Sequence, residues 1–356
     1  MPKKTPPRGT PSRKKQHVEL TVTKDVRFQR KTTGLADLEF VHNALPEIDL
    51  AELDTSTRFL SHTISLPFMV SCMTGGYPDA LRINRQLAEI CEELVIPMGV
   101  GSQRQALEDS RYHRTFSIVR EAAPSIPIVG NIGASEVAHL TSPVSIQRLV
   151  DLIRADAFAV HLNPLQEFLQ PEGSTKFSGV LKGIEQLVKG LNVPVIVKEI
   201  GAGLSAEVSE RLYNAGVRYI DVAGAGGTSW AGVEILRSKN RDFARSFWDW
   251  GIPTAHAVRE TARLKTDSRT FTLIASGGIE NGLDVAKCIA LGADMCSAAR
   301  PVLQTLMLHG KKAALLLIGQ WTQELRGAMF LTGSKNIAAL QRAPLVTYRP
   351  HARISI

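Results

Sequence analysis

Four hydrogen-bonding side chains fall inside the stretch Ala159-Val160-His161-Leu162-Asn163-Pro164-Leu165-Gln166-Glu167, directly after the apolar run Phe158 to Val160. Pro164 cannot donate to a strand ladder, so the strand ends there and His161, Asn163, Gln166 and Glu167 are set on the rim of a sheet. The rim at the carboxyl ends of strands is where α/β enzymes keep their active sites. Taken alone, any one of these residues reads equally well as part of an ordinary loop with a helix cap. The cluster gains weight because other strands of the chain end in the same way.

Met73-Thr74-Gly75-Gly76, Gly101-Ser102-Gln103-Arg104 and Asn131-Ile132-Gly133-Ala134 each follow a short apolar run. Small residues and amides at such ends let a flat ring with a polar edge approach the backbone closely. Tight-turn chemistry explains any single one of them as well. Lys198-Glu199 lies inside the apolar run Val193 to Ile200, where an unpaired ammonium is costly to bury, so Lys198 needs an anionic partner. Glu199 could be that partner in a structural ion pair, although neighbouring strand residues point to opposite faces, which weakens that reading. A cation aimed into a barrel mouth could instead stabilise the negative N1/O2 edge of a reduced flavin. Further on come Asp221-Val222-Ala223-Gly224-Ala225-Gly226-Gly227-Thr228-Ser229-Trp230, then Ser276-Gly277-Gly278-Ile279, then Ser297-Ala298-Ala299-Arg300. Glycine-rich backbone after the last two strands of a barrel binds phosphate through N–H groups and a helix N-terminus. With the inward lysine, this predicts a phosphorylated cofactor.

Positioning these ends requires a repeated strand-to-helix unit. From Leu66 onward short apolar runs alternate with segments of helical periodicity. Strands are expected at Phe68 to Ser71, Pro97 to Val100, Ile126 to Val129, Ala157 to Val160, Val195 to Lys198, Tyr219 to Val222, Leu273 to Ala275 and Met295 to Ser297. Helices are expected at Asp79 to Leu94, Ser110 to Ala122, Ser145 to Arg154, Ser178 to Leu191, Ser205 to Ala215, Thr254 to Leu264, Glu280 to Leu291 and from Pro301 onward, several of them opening on Ser, Thr or Asp caps. The pattern predicts an α/β (β/α)8 TIM barrel, with an open doubly wound sheet as the competitor. Residues 13–65 form an N-terminal extension contributing to the substrate site, and residues 66–356 form the barrel with C-terminal helices. The excursion 232–251, carrying Arg237, Arg241, Arg245, Trp248 and Trp250, breaks the rhythm as a lid, a binding loop or a packing insertion.

Charge is concentrated in one place. Residues 1–31 hold ten Lys or Arg against two acids, Glu19 and Asp25, which accounts for the whole formal net charge of +8 and leaves the body neutral. Residues 1–12, with Lys3, Lys4 and Arg8, are expected to be a disordered basic tail, and they lack the apolar core of a secretory signal. Nucleic-acid contact by this tail has no aromatic or base-reading support. A content of 44% hydrophobic and 21% charged residues, without an apolar run of spanning length, is that of a soluble globular protein. Cys72, Cys91, Cys288 and Cys296 form neither a CxxC pair nor a zinc spacing, which fits a reducing cytoplasm.

Taken together and in order, Arg13-Lys14 with His17, His42-Asn43-Ala44-Leu45-Pro46-Glu47, Met73-Thr74-Gly75-Gly76, Gly101-Ser102-Gln103-Arg104, His161 to Glu167, Gly226-Gly227-Thr228-Ser229-Trp230 and Gly251-Ile252-Pro253-Thr254 carry a resemblance. The chain resembles the type 2 isopentenyl-diphosphate Δ-isomerases, FMN-dependent barrel enzymes, from Arg13 to about Arg300. The resemblance implies FMN contacts at Met73, Thr74, Gly75, Ser102, Asn131, Lys198, Thr228, Gly277, Gly278, Ala298 and Ala299. It places Arg13, Lys14, His17, Ser102, Arg104, His161, Asn163 and Gln166 on the diphosphate substrate, Glu167 on Mg2+, and Gln166, Trp230 and Glu234 near the reacting carbons. It further implies NADPH or NADH as the reductant that primes the flavin, and a homotetramer or octamer. Ala223 and Cys72 stand where such proteins often carry other small residues.

Two alternatives are weighed against this. An FMN-dependent 2-hydroxy-acid oxidase or dehydrogenase needs a His base beside an Arg clamp near the last strands, and Ser276 to Arg300 contains no His. A non-catalytic flavin-binding regulator using its basic arm on nucleic acid leaves Gln166, Glu167 and the Trp230 loop without a task.

Overall fold

In this computed structural model residues 10–238 and 242–347 are described. Eight parallel strands close into a barrel, each bonded to the next and the last to the first. They are β1 Phe68–Val70, β2 Met98–Gly99, β3 Ile128–Gly133, β4 Ala157–His161, β5 Val195–Lys198, β6 Tyr219–Asp221, β7 Thr272–Ser276 and β8 Met295–Ala298. The strands are buried on both faces, one against helices and one against the barrel interior. That is why they read as continuous apolar runs without alternation.

β3 runs four residues beyond the expected Val129. Gly130-Asn131-Ile132-Gly133 looks like a loop by composition, yet it pairs residue by residue with Phe158 to His161. A Cβ on Gly130 would lie 2.5 Å from the Phe158 ring, so this glycine makes room for a neighbour inside the sheet and does not mark a turn.

The expected helices are present at Ala80–Leu94, Arg114–Ala122, Val144–Ile153, Val180–Gly190, Ala206–Asn214, Thr254–Ala262, Gly282–Ala290 and Arg300–Leu331. Ser205 and Asn281 cap two of them by accepting N–H bonds from Val208 and Asp284. The last is interrupted at Gly310 (φ 84°, ψ 176°), a backbone state open to glycine. Three short rim helices, Arg104–Glu108, Ala134–Val137 and Pro164–Leu169, are too brief to show a period in the sequence.

The extension before the barrel does two jobs. The hairpin Thr57–Phe59 with His62–Ile64 plugs the amino end of the barrel, where Phe59 and Ile64 pack with Met69, Val129, Ala157, Ile196, Ile274 and Met295. At the opposite, carboxyl end, the helix Thr10–Thr23 lies over the strand termini. The tail expected over 1–12 falls mostly on residues 1–9, outside the described residues, while Thr10 to Ser12 already belong to this helix.

The excursion 232–251 is mostly ordered structure. The helix Trp230–Arg237 and the 3-10 turn Asp242–Phe247 pack on Pro164–Leu169 through Leu169, Ala231 and Ala244. Arg241 lies outside the described residues.

Candidate active site

The strand carboxyl ends open into a cavity of about 510 Å³. Its floor is set by register: His161 and Lys198 line it, and Asp221, their neighbour on the next strand, lies buried beside Lys198, the three being direct neighbours on β4, β5 and β6. The anionic partner Lys198 requires is Asp221, with Nζ 3.9 Å from Oδ2. Glu199 is not that partner through its carboxylate, which instead accepts the N–H groups of Ile200, Gly201, Ala202 and Gly203, while its carbonyl accepts Lys198 Nζ at 2.6 Å. Asp221 spends Oδ1 on Ser276 Oγ at 2.5 Å and on the Ala223 N–H at 3.2 Å. Its Oδ2, like Ser297 Oγ, has no hydrogen-bond partner, and burial raises the Asp221 carboxyl against the opposing pull of Lys198.

His161 is half-buried at the cavity wall, and burial together with the charges of Lys198 and Lys14 pushes its imidazole down to about 3. It is therefore neutral at ordinary pH, with Nδ1 donating to Asn131 Oδ1 at 3.0 Å. Burial pushes the Cys72 thiol up to about 12, so Cys72 serves as an apolar wall and not as a nucleophile.

A glycine cradle forms the next wall. A Cβ on Gly227 would lie 2.4 Å from Gly278 N, and one on Gly277, whose φ is +95°, would lie 2.0 Å from Gly224 O. Only glycine lets these loops touch. Thr254 holds the cradle from behind, its hydroxyl donating to Gly277 O at 2.6 Å, and this gives Gly251-Ile252-Pro253-Thr254 a supporting role. Beside the cradle, Ala298, Ala299 and Arg300 bring the donor end of the helix Arg300–Leu331 to the same cavity. These features fit FMN: a close-approach backbone surface for a flat ring, a phosphate-binding helix end, and a buried cation with an orphaned polar pair beneath it.

The opposite wall is cationic. Lys14, from the helix Thr10–Thr23, donates to Gly75 O at 3.0 Å and Ser102 O at 2.5 Å. Burial, then the nearby Arg13 and Arg104, brings its ammonium down to about 7. Burial and Arg104 likewise lower Arg13, with Glu167 and Glu172 pulling the other way. Arg104 is held at the rim by Glu108 (2.9 Å) and Glu136 (3.2 Å). Three cations converging on one wall are groups suited to a polyanion. Glu167 is engaged by Asn163 Nδ2 at 3.1 Å and the Ser174 N–H at 2.6 Å, and buried Asn163 Oδ1 beside it has no partner. A carboxylate and a free amide oxygen are the hard donors Mg2+ prefers, and a one-carboxylate site completed by water and phosphate oxygens suits that ion.

Among the sequence-expected site residues, Arg13, Lys14, His17, Met73, Gly75, Ser102, Arg104, Asn131, His161, Asn163, Gln166, Glu167, Lys198, Thr228, Trp230, Gly277, Gly278, Ala298 and Ala299 line this cavity. Thr74 does not: its hydroxyl turns to Asn84 Oδ1 and its carbonyl accepts the Gly101 N–H. Glu234 also stands back from the cavity, behind Gln166 and His17. The segment His42 to Glu47 is remote, with the Asn43 N–H donating to Leu331 O. Sequence reasoning missed Asp221, Ser297 and Tyr77, the last lining the cavity with its buried hydroxyl unpaired. Asp221 had a signal, because β5 and β6 each close an apolar run with a charged residue and adjacent strands place those ends side by side.

Residues 139–347 match the FMN-dependent dehydrogenase family, so fold and site together define a flavin-binding barrel of that class. Solved structures share the fold at low identity. A mandelate oxidase complex superposes with a TM-score of 0.65 at 18% identity, covering 94% of this chain and 95% of that one. A lactate oxidase from Pediococcus acidilactici gives 0.67 at 16%, covering 95% and 94%. Closer in sequence is the isopentenyl-diphosphate delta-isomerase of Chlorobaculum parvum, 49% identical over 348 residues, which span 94% of this chain and 97% of the relative. That of Methanothermobacter thermautotrophicus is 45% identical over 334 residues, 94% of this chain and 92% of the relative. The chain belongs to the isopentenyl-diphosphate delta-isomerase family.

Proposed function

We propose that the chain interconverts isopentenyl diphosphate and dimethylallyl diphosphate with reduced FMN and Mg2+ bound, NADPH or NADH serving only to reduce the flavin. The observation that carries this reading is a single cavity with two chemically distinct poles, a glycine-backbone cradle above Lys198 and a cationic wall of Arg13, Lys14 and Arg104 beside Glu167. Reduced FMN, when bound, supplies acid–base chemistry toward an unactivated alkene that ordinary side chains cannot.

The chain's own residues bind and orient. Lys198 offsets negative charge at the cofactor edge, and Ser297 and Asn131 offer it hydrogen bonds. Arg13, Lys14 and Arg104, with neutral His161 and Asn163, would take the diphosphate, and Glu167 would hold the Mg2+ ion, which would supply further positive charge against it. Trp230 packs edge-on against His17 with ring centroids 5.4 Å apart, which closes an apolar wall around the carbon chain and excludes water. A 2-hydroxy-acid oxidase would use none of the cationic wall. A homotetramer or octamer acting in the cytoplasm, without nucleic acid, belongs to the same reading, and no helix among the described residues is long and apolar enough to cross a membrane.

Purified protein should be yellow and release FMN, not FAD. Under anaerobic conditions it should convert isopentenyl diphosphate to its isomer with Mg2+ and catalytic NADPH. A preparation that binds FMN but consumes NADPH stoichiometrically, or oxidises a 2-hydroxy acid and leaves isopentenyl diphosphate unchanged, would overturn the reading.

A further inference from the structure

Behind the cavity wall lies a chain of charge whose central member has no role so far. Arg237, at the end of the helix Trp230–Arg237, has a side chain only 8% exposed and pairs with two carboxylates at once. Its Nε donates to Glu234 Oε2 at 2.8 Å, and its Nη2 and Nη1 donate to the two oxygens of Glu172 at 2.6 and 3.2 Å. Glu234, wholly enclosed, uses Oε1 to accept from His17 Nε2 at 2.8 Å and from Gln166 Nε2 at 3.3 Å. Gln166 Oε1 in turn accepts from Asn163 Nδ2 at 3.1 Å.

An ionised carboxylate only accepts hydrogen bonds. As long as Glu234 is ionised, the Gln166 nitrogen must face it and the Gln166 oxygen must face Asn163. Both ends of the Gln166 amide are then fixed, at the edge of the cavity it lines. A protonated Glu234 could donate, and the amide would be free to turn over, with its oxygen toward Glu234 and its nitrogen toward Asn163.

We propose that Arg237 is a positioning residue for the site: by pairing with Glu234 and Glu172 together, it keeps Glu234 a fixed acceptor and so sets which way round the Gln166 amide lies between Glu234 and Asn163. The same acceptor holds His17, and with it the helix Thr10–Thr23 that carries Arg13 and Lys14. The proposal rests on the isomerase reading for its kinetic consequence, but not for its structural one.

The pH dependence has a definite sign. Burial would raise the Glu234 carboxyl, while His17 and Arg237 bring it below the usual value. The elements packed against the helix Trp230–Arg237 carry Arg13, Lys14, Lys15, His17 and Glu19 on the N-terminal helix, Glu167 on Pro164–Leu169, and the exposed Asp242 and Arg245; of these His17 bonds Glu234 directly, and Glu172 reaches it through Arg237. Removing Arg237 takes away one of the two lowering groups, so Glu234 protonates at higher pH. The acid limb of kcat should move up, because activity is lost as pH falls through the folded value.

The test compares Arg237→Met, Arg237→Lys and Glu172→Gln with the native holoenzyme. Arg237→Met should lower kcat at least about tenfold, as for a displaced positioning group, with the acid limb raised and FMN affinity nearly unchanged. Arg237→Lys should restore part of the rate, and Glu172→Gln, at a half-exposed partner that leaves the fold intact, should shift the limb by a smaller amount. Native kcat and an unmoved acid limb in Arg237→Met and Glu172→Gln would overturn the proposal while leaving the isomerase reading intact. Should the native enzyme show no isomerisation, that reading fails, and the Gln166 side-chain amide resonance still decides the structural point. With FMN bound, it should move in Arg237→Met, and an unmoved signal overturns the proposal.

Discussion

At the scale of single residues, charges buried in pairs decide how the site works. Lys198 and Asp221 oppose each other across 3.9 Å on adjacent strands, near where the flavin edge would lie. Their effects on the cofactor should therefore have opposite signs. Lys198→Ala removes a positive charge, so it should weaken FMN binding by roughly ten- to hundredfold and lower the flavin reduction potential. Asp221→Asn removes a negative charge and should raise the potential. Spectroelectrochemical titration of both variants checks the pair, and shifts in the same direction would contradict it. Lys14 yields a second prediction. Its folded pKa of about 7 lies below that of an ordinary lysine, so above about pH 7 the free enzyme holds it neutral, whereas a bound diphosphate favours the charged form. Binding must then take up a proton, and substrate affinity should fall as pH rises above about 7. Calorimetry near about pH 8 in buffers of different ionisation enthalpy should read proton uptake approaching one per site. Neither pairing was visible to composition. Lys198 could be seen to need an anion, but which anion depended on strand register, and Lys14 lost its proton affinity only by being buried beside Arg13 and Arg104.

At the scale of elements, the N-terminal helix is the part that sequence reasoning described least well. Its basic residues were legible as a substrate-binding pair, but the helix itself was not, because Thr10–Thr23 has no strong apolar face and carries its polar side chains into the cavity. It is fixed by tertiary partners instead. Arg300 donates to the carbonyls of Thr21 and Lys24, Gln304 donates to Val22 O, and Lys14 reaches Gly75 and Ser102. A clean division of the basic arm follows. Deleting residues 1–9 spares the whole helix and should leave kcat/KM within about twofold. Arg13→Ala removes one charge-assisted contact to the diphosphate and should cost about 1.5–3 kcal/mol, or roughly ten- to hundredfold in substrate affinity. Steady-state kinetics of the two proteins side by side checks the point, and a deletion as harmful as the substitution would place substrate contacts before Thr10. The excursion after β6 shows the converse limit. Its aromatic and basic residues stood out, but its helix and its contacts with Pro164–Leu169 depend on a neighbour far away in the chain.

Across the whole molecule, the barrel separates stability from chemistry by its two ends. All eight strands were legible, because burial on both faces leaves an unbroken apolar run that composition alone can find. The plug beneath them was not, since Thr57–Phe59 and His62–Ile64 are three residues each and show no alternation long enough to read. Phe59 is the centre of that plug, 1% exposed, edge-on to Tyr219 at 6.0 Å and packed with interior residues from six barrel strands. Truncating it leaves a cavity that rigid strands cannot collapse to fill, so Phe59→Ala should cost about 3–5 kcal/mol of stability. The strand carboxyl ends lie at the far side of the barrel, and the cradle is braced by Thr254 and by the segment Val26 to Phe28, neither of which touches the plug. FMN affinity and kcat/KM per folded molecule should therefore be unchanged in Phe59→Ala below its unfolding transition, while Lys198→Ala should show the reverse pattern. Urea unfolding and flavin titration on the same preparations separate the two. Loss of FMN binding in Phe59→Ala well below its denaturation midpoint would mean that the two ends of the barrel are mechanically coupled.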